Sequence, residues 1–121
     1  MSASIIYLTR HGKKDLSDLS DILMKAFQKQ MHVPELVVNE ITEVNGHQIL
    51  LLMLEKYYMR TSSMTAVTIH GIADETMQKI TIIGTGGGSG AFNISWGANK
   101  NFAMMVVNVL KEEGFALVSE D

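Results

Sequence analysis

The sequence predicts an α+β domain: an antiparallel β-meander of about four to six strands with two α-helices packed on one face. Three observations predict it. Apolar residues recur at helical spacing in two stretches, one near each end of the chain. The middle is rich in β-branched residues. Short turn signals cut that middle into segments that pair as hairpins. The expected order is β-α-β-β-β-β-(β)-α-β, and 121 residues suit a single domain over 1–121.

Ile5 to Leu8 is short, apolar and β-branched, and predicts the first strand. Asp15 is suited to cap the helix that follows, and Asp18 adds negative charge where the helix dipole favours it. Leu16, Leu19, Leu23, Ala26 and Phe27 then predict an amphipathic helix over Asp15 to Met31. Pro34, the single proline, closes the connection.

Leu36 to Val44 and His47 to Arg60 flank Asn45-Gly46, a pair that suits the positive φ angles of a type I′ hairpin turn. That turn sets Val44 opposite His47, Ile41 opposite Leu50 and Val37 opposite Leu54. The run Ile49 to Leu54 is apolar at every position, as in a strand covered on both faces. Met64 to Ile72 and Met77 to Gly84 flank the turn Ala73 to Thr76. The expected register opposes Val67 to Ile82 and Ile69 to Ile80 on an apolar face. Thr68 then opposes Thr81, and His70 opposes Lys79, on a polar face left to water.

Phe92, Ile94 and Trp96 alternate with polar residues and predict the bracketed strand. Ala98 to Glu113 is the second helix, with Phe102, Met105, Val106, Val109 and Leu110 on one face. Gly114 suits the position just past its end. Phe115 to Val118 adds a strand. This strand and Ile5 to Leu8 are expected at the sheet edges, where self-association finds its seam.

Composition limits the function. A net charge of -3 and no concentrated Lys/Arg surface argue against nucleic acid as a partner. The longest apolar run, Ile49 to Leu54, is too short to cross a bilayer, and the first residues lack a signal-peptide pattern. A cytoplasmic protein with no membrane partner is expected. There are no cysteines, which removes disulfides and thiolate chemistry. His11, His32, His47 and His70 lack metal-ligand spacing, so no metal site is expected. Glu40 and Glu43 fall on opposite faces of their strand and form no acid–base dyad. Nine methionines and Tyr57-Tyr58 supply adaptable apolar surface, for ordinary packing or for binding.

Five of the ten glycines fall between Gly84 and Gly90, and the only Trp, Trp96, lies just beyond. So dense a run suits a sharp turn or a close approach of the backbone. It is not a P-loop, because the Gly-Lys-Ser/Thr ending is missing and no Lys follows until Lys100. Gly86-x-Gly88-x-x-Ala91 fits the looser dinucleotide fingerprint, but Phe92 to Trp96 intervenes before the helix and the sheet reads antiparallel. Ser89 lacks the strand–turn–helix setting of a nucleophile elbow. A nest of backbone N–H groups around an anion needs no motif and stays open. A hairpin tip or a strand pressed against a helix accounts for the same residues without a ligand.

Glu55-Lys56-Tyr57-Tyr58-Met59-Arg60, the run Gly84 to Phe92, and Ser95-Trp96-Gly97-Ala98 ahead of an apolar helix are distinctive together. In these segments the chain resembles a family of small uncharacterised bacterial proteins, a domain of unknown function. The resemblance spans most of the chain. It implies a compact cytoplasmic domain and carries no assigned catalytic residue.

The reading that follows is a non-enzymatic small-ligand or protein-interaction domain, a homo-oligomer with no cofactor and no catalytic residue. Its site is expected at Gly86, Gly87, Gly88, Ser89, Gly90, Trp96, Tyr58, Arg60 and Lys100, beside a small-molecule or anionic ligand. The alternative is an enzyme or sensor that holds a phosphorylated metabolite on Gly86 to Gly90, with Lys100 or Arg60 supplying charge.

Overall fold

The computed structural model describes residues 3–30, 32–58, 63–87 and 95–120. Its elements are β1 (Ala3–His11), α1 (Leu19–Phe27), β2 (Glu35–Val44), β3 (His47–Tyr58), β4 (Ser63–Ala73), β5 (Met77–Gly87), α2 (Ser95–Glu112) and β6 (Ala116–Glu120). The strands make one antiparallel sheet in the order β2-β3-β4-β5-β1-β6. This is the expected α+β fold, with both helices on one face.

The meander β2 to β5 is built by its turns. Asn45 (φ 50°) and Gly46 (φ 78°) close the β2–β3 hairpin, and Val44 opposes His47 and Ile41 opposes Leu50 as expected. The register then shifts between Leu36 and Val38, so Leu36 rather than Val37 opposes Leu54. An extra residue at Val37 bulges the edge strand, which a count of residues from the turn does not reveal.

The β4–β5 register also differs from expectation. Ile69 opposes Ile82, and Val67 opposes Gly84. The carboxylate of Asp74 accepts hydrogen bonds from the Thr76 N–H (2.7 Å), the Thr76 hydroxyl (2.8 Å) and the Met77 N–H (2.9 Å). This local turn lets Ala73 pair with Gln78. The shift is even, so every side chain keeps its expected face. The second face is less polar than expected, because Ile83 now opposes Thr68 and Ile72 opposes Lys79.

Helix α1 is shorter than its apolar spacing predicts. Asp15 does not cap it: its carboxylate accepts from the Ser17 N–H at 2.7 Å, and Asp18 is the N-cap residue. The Gln48 side chain takes the Leu16 N–H at 2.7 Å, which fixes a turn ahead of the helix and drives Leu16 into the core. Helix α2 starts earlier than expected, at Ser95. Ser95 and Trp96 are therefore helical rather than part of a bracketed strand, and Phe92 to Asn93-Ile94 lie outside the described residues. Its end follows the glycine signal: Gly114 has φ 97° and donates to Lys111, while Phe115 donates back to Leu110 at 3.1 Å and buries its ring.

β1 pairs with β5 on one side and β6 on the other. It is an interior strand, so the expected seam at Ile5 to Leu8 is corrected; the edges are β2 and β6. The chain crosses the sheet through α2 and lays β6 outside β1. The core lies between sheet and helices. Ile6, Leu8, Leu50, Leu52, Leu54, Val67, Ile69, Ile80 and Ile82 meet Leu19, Leu23, Phe27, Phe102, Val106 and Leu110 there. Phe27 and Phe102 join the two helices edge to face, with ring centroids 6.3 Å apart.

Candidate functional site

Of the site expected from the sequence, Tyr58, Gly86 and Gly87 fall at one end of the sheet. Tyr57 opposes Met64, Met64 opposes Gly87, and Thr85 opposes Ala3. Tyr58 ends β3 and Trp96 lies in the first turn of α2. Gly86 and Gly87 are not loop residues: β5 runs through them, with Gly86 opposite the buried Thr65. Lys100 forms an ion pair with Glu120 at 3.4 Å on the surface. Arg60, Gly88, Ser89 and Gly90 lie outside the described residues.

Lys56 reaches the core side at this end. Its Nζ donates to Gln30 Oε1 at 2.8 Å and stands 5.9 Å from the Phe102 ring centre. Burial holds its pKa below the ordinary lysine value. Strand alternation from Leu54 places it there, a signal that is easily lost when Lys56 to Arg60 is read as one small basic cluster.

At the opposite end, an open cleft of about 540 Å³ lies between the β1–α1 connector and the two hairpin turns. Lys13, Lys14, Asp15, Gln48, Asp74 and Glu75 help to line it. Three of its carboxylates, Asp15, Asp74 and Glu75, already have partners. Asp15 accepts from Ser17 and from Gln48 Nε2 (2.6 Å), and Asp74 closes its own turn. These hydrogen bonds hold both carboxyls below the ordinary value. Glu75 meets Lys13 at 3.8 Å. Among the described residues, no group of His, Asp and Glu is arranged to hold a metal.

A further surface feature is the sheet face turned away from the helices. Cross-strand rows run over it: Leu51, His70, Thr81 and Tyr7 in one, and Met53, Thr68, Ile83 and Ile5 in the next. Leu51 is 39% exposed, Tyr7 37% and Met64 42%. Met53, Ile72, Ile83 and Ile5 are half-buried by their neighbours in the sheet. Among the described residues, nothing packs over this face. The uninterrupted run Ile49 to Leu54 was the signal for it. Leu50, Leu52 and Leu54 serve the core, while Ile49, Leu51 and Met53 serve a face that the described residues leave open.

No helix among the described residues is long and apolar enough to cross a membrane. Residues 7–114 match the model of a family of unknown function, DUF6054. No curated protein matches the chain.

Proposed function

The chain belongs to the family of unknown function DUF6054, membership brings no activity with it, and we propose that the chain is a non-enzymatic protein-interaction domain. One observation carries this reading: the open sheet face, with Leu51, Met53, Ile72, Ile83 and Tyr7 on adjacent strands. Apolar side chains spread across four neighbouring strands are more than the scattered exposure normal on a monomer, and such patches mark contact surfaces. The end that carries Tyr57 and Met64 is continuous with the face. Tyr58, Gly86 and Gly87, at the ends of β3 and β5, therefore adjoin this surface. The phosphate reading expects its charge from Lys100 or Arg60, and Lys100 is held by Glu120.

The test is native size-exclusion of cell extract. The wild-type chain is expected to elute well above 13.4 kDa, and Leu51→Lys, a substitution at an exposed position, is expected to move it to that mass. A chain that elutes as a monomer before substitution would sink the reading.

A further inference from the structure

We infer that the occupant of the open sheet face is a second copy of this chain, packed sheet to sheet across a two-fold axis. The inference rests on the reading of that face as the contact surface, and names the partner.

Size comes first. Strands lie about 4.8 Å apart and rise about 3.3 Å per residue, so six strands of roughly nine residues present an area on the order of 850 Å². A stable interface takes about 800 Å² from each partner. The face is therefore the size of one complete interface, with little left over for a separate site. A peptide or a single helix would cover only part of it.

Shape comes second. Two sheets pack face to face about 10 Å apart with their side chains interdigitating. The alternation of β3 suits that arrangement. Leu50, Leu52 and Leu54 fill the core under the helices, and Leu51 and Met53 are left for a second core. An apolar run of this kind belongs to strands covered on both faces. The dimer would have four layers, helices outside and two sheets within.

Charge comes third. The middle of the face, from Leu51 and Met53 to Ile83, carries no carboxylate or ammonium group. Glu40 and Glu55 lie toward the β2–β3 side, and Lys79 lies on β5. A two-fold axis along β4 exchanges β3 with β5 and keeps position along the strands, so Lys79 of one copy falls over Ile49 of the other, one row from Glu40 and far from Glu55. Pairing through the β2 edge has the reverse character. It would bring an acidic strand, with Glu35, Glu40 and Glu43, against its own copy, on a strand already bulged at Val37.

The experiment is sedimentation equilibrium of the purified full chain over a wide concentration range. The expected mass is twice 13.4 kDa, and it should fall to the single value in Leu51→Lys with an unchanged circular dichroism spectrum. A second measurement covers the case in which that variant does not fold. The chain has no cysteine, so a single introduced thiol reports its own neighbour. Thr68→Cys, at the centre of β4, is expected to be joined to its copy by a short bis-maleimide. Asn108→Cys, exposed on α2, is not. A monomer at every concentration overturns the inference, as does a dimer that survives in folded Leu51→Lys, or equal cross-linking at both thiols. If the purified chain is a monomer but Leu51→Lys still abolishes the large species in extract, the partner is a different protein. The second copy then fails and the contact surface stands.

Discussion

Arg10 lies over the ring of Phe115, with its guanidinium carbon 4.2 Å from the ring centre. The same side chain donates to Gln78 Oε1 at 2.7 Å and to the Glu113 carbonyl at 3.0 Å. Gln78 is fully buried and donates in turn to the Gly12 carbonyl at 2.6 Å. One arginine thus fastens the end of α2 to β1 and β5. Arg10→Ala removes a cation–π contact and leaves a buried amide oxygen unpaired, at a combined cost of about 2–4 kcal/mol. Urea unfolding of the two proteins measures it. Arg10→Lys is expected to recover only a minor part, because an ammonium cannot reproduce the planar fork.

Gly71 sits where β4 passes beneath the helices. A Cβ there would lie 2.9 Å from Ile80 Cδ1, 3.1 Å from Leu16 Cδ1 and 3.3 Å from Leu50 Cβ. Two of these are flexible side-chain ends and one is fixed close to the backbone. Gly71→Ala is therefore expected to destabilise by about 1–3 kcal/mol, and Gly71→Val by more, through overpacking. Equal stability of wild type and Gly71→Ala would show that Leu16 has room to move.

Leu51 and Leu52 are adjacent in sequence and opposite in consequence. Leu52 is fully buried, whereas Leu51 is on the open face. Leu52→Ala is expected to cost about 2–5 kcal/mol, the range for a core leucine. Leu51→Ala is expected to stay within about 0.5 kcal/mol when measured on dilute monomer. Denaturant melts of the pair at low protein concentration test both.

Acid should weaken two of the turns. Backbone and side-chain hydrogen bonds hold the Asp74 and Asp15 carboxyls below their ordinary value of 3.8. A depressed carboxyl adds stability that is complete above the unfolded value and is lost as pH falls through the folded one. The contribution is thus present at neutral pH and disappears below about pH 4. Asp74→Asn should flatten the acid limb of the stability curve. An acid limb identical to that of wild type would mean that the turn holds without its charge.

Much of the architecture was legible because it depends on local chemistry. Asn45-Gly46 fixed a hairpin, Gly114 ended a helix, and apolar spacing marked both helices. What escaped reading depends on single side chains acting at a distance. The Gln48 amide shortens α1 by holding Leu16, and the Asp74 carboxylate moves the β4–β5 register. The interior place of β1 follows from the path of α2 across the sheet, which no local signal encodes. The candidate surface was half legible. The run Ile49 to Leu54 announces a strand covered on both faces, but nothing in it says what the second cover is.

β1 is made well before either of the strands it pairs with. Its partners are Thr85 to Met77 of β5 on one side and Ala116 to Glu120 of β6 on the other. The β2–β5 meander can close as each hairpin emerges, but Ile6 and Leu8 must wait for contacts more than 70 residues away in sequence. Until β5 and β6 have been made, β1 is an unpaired apolar strand, a natural client for whatever shields new chains. The arrival of β6 ends that vulnerability.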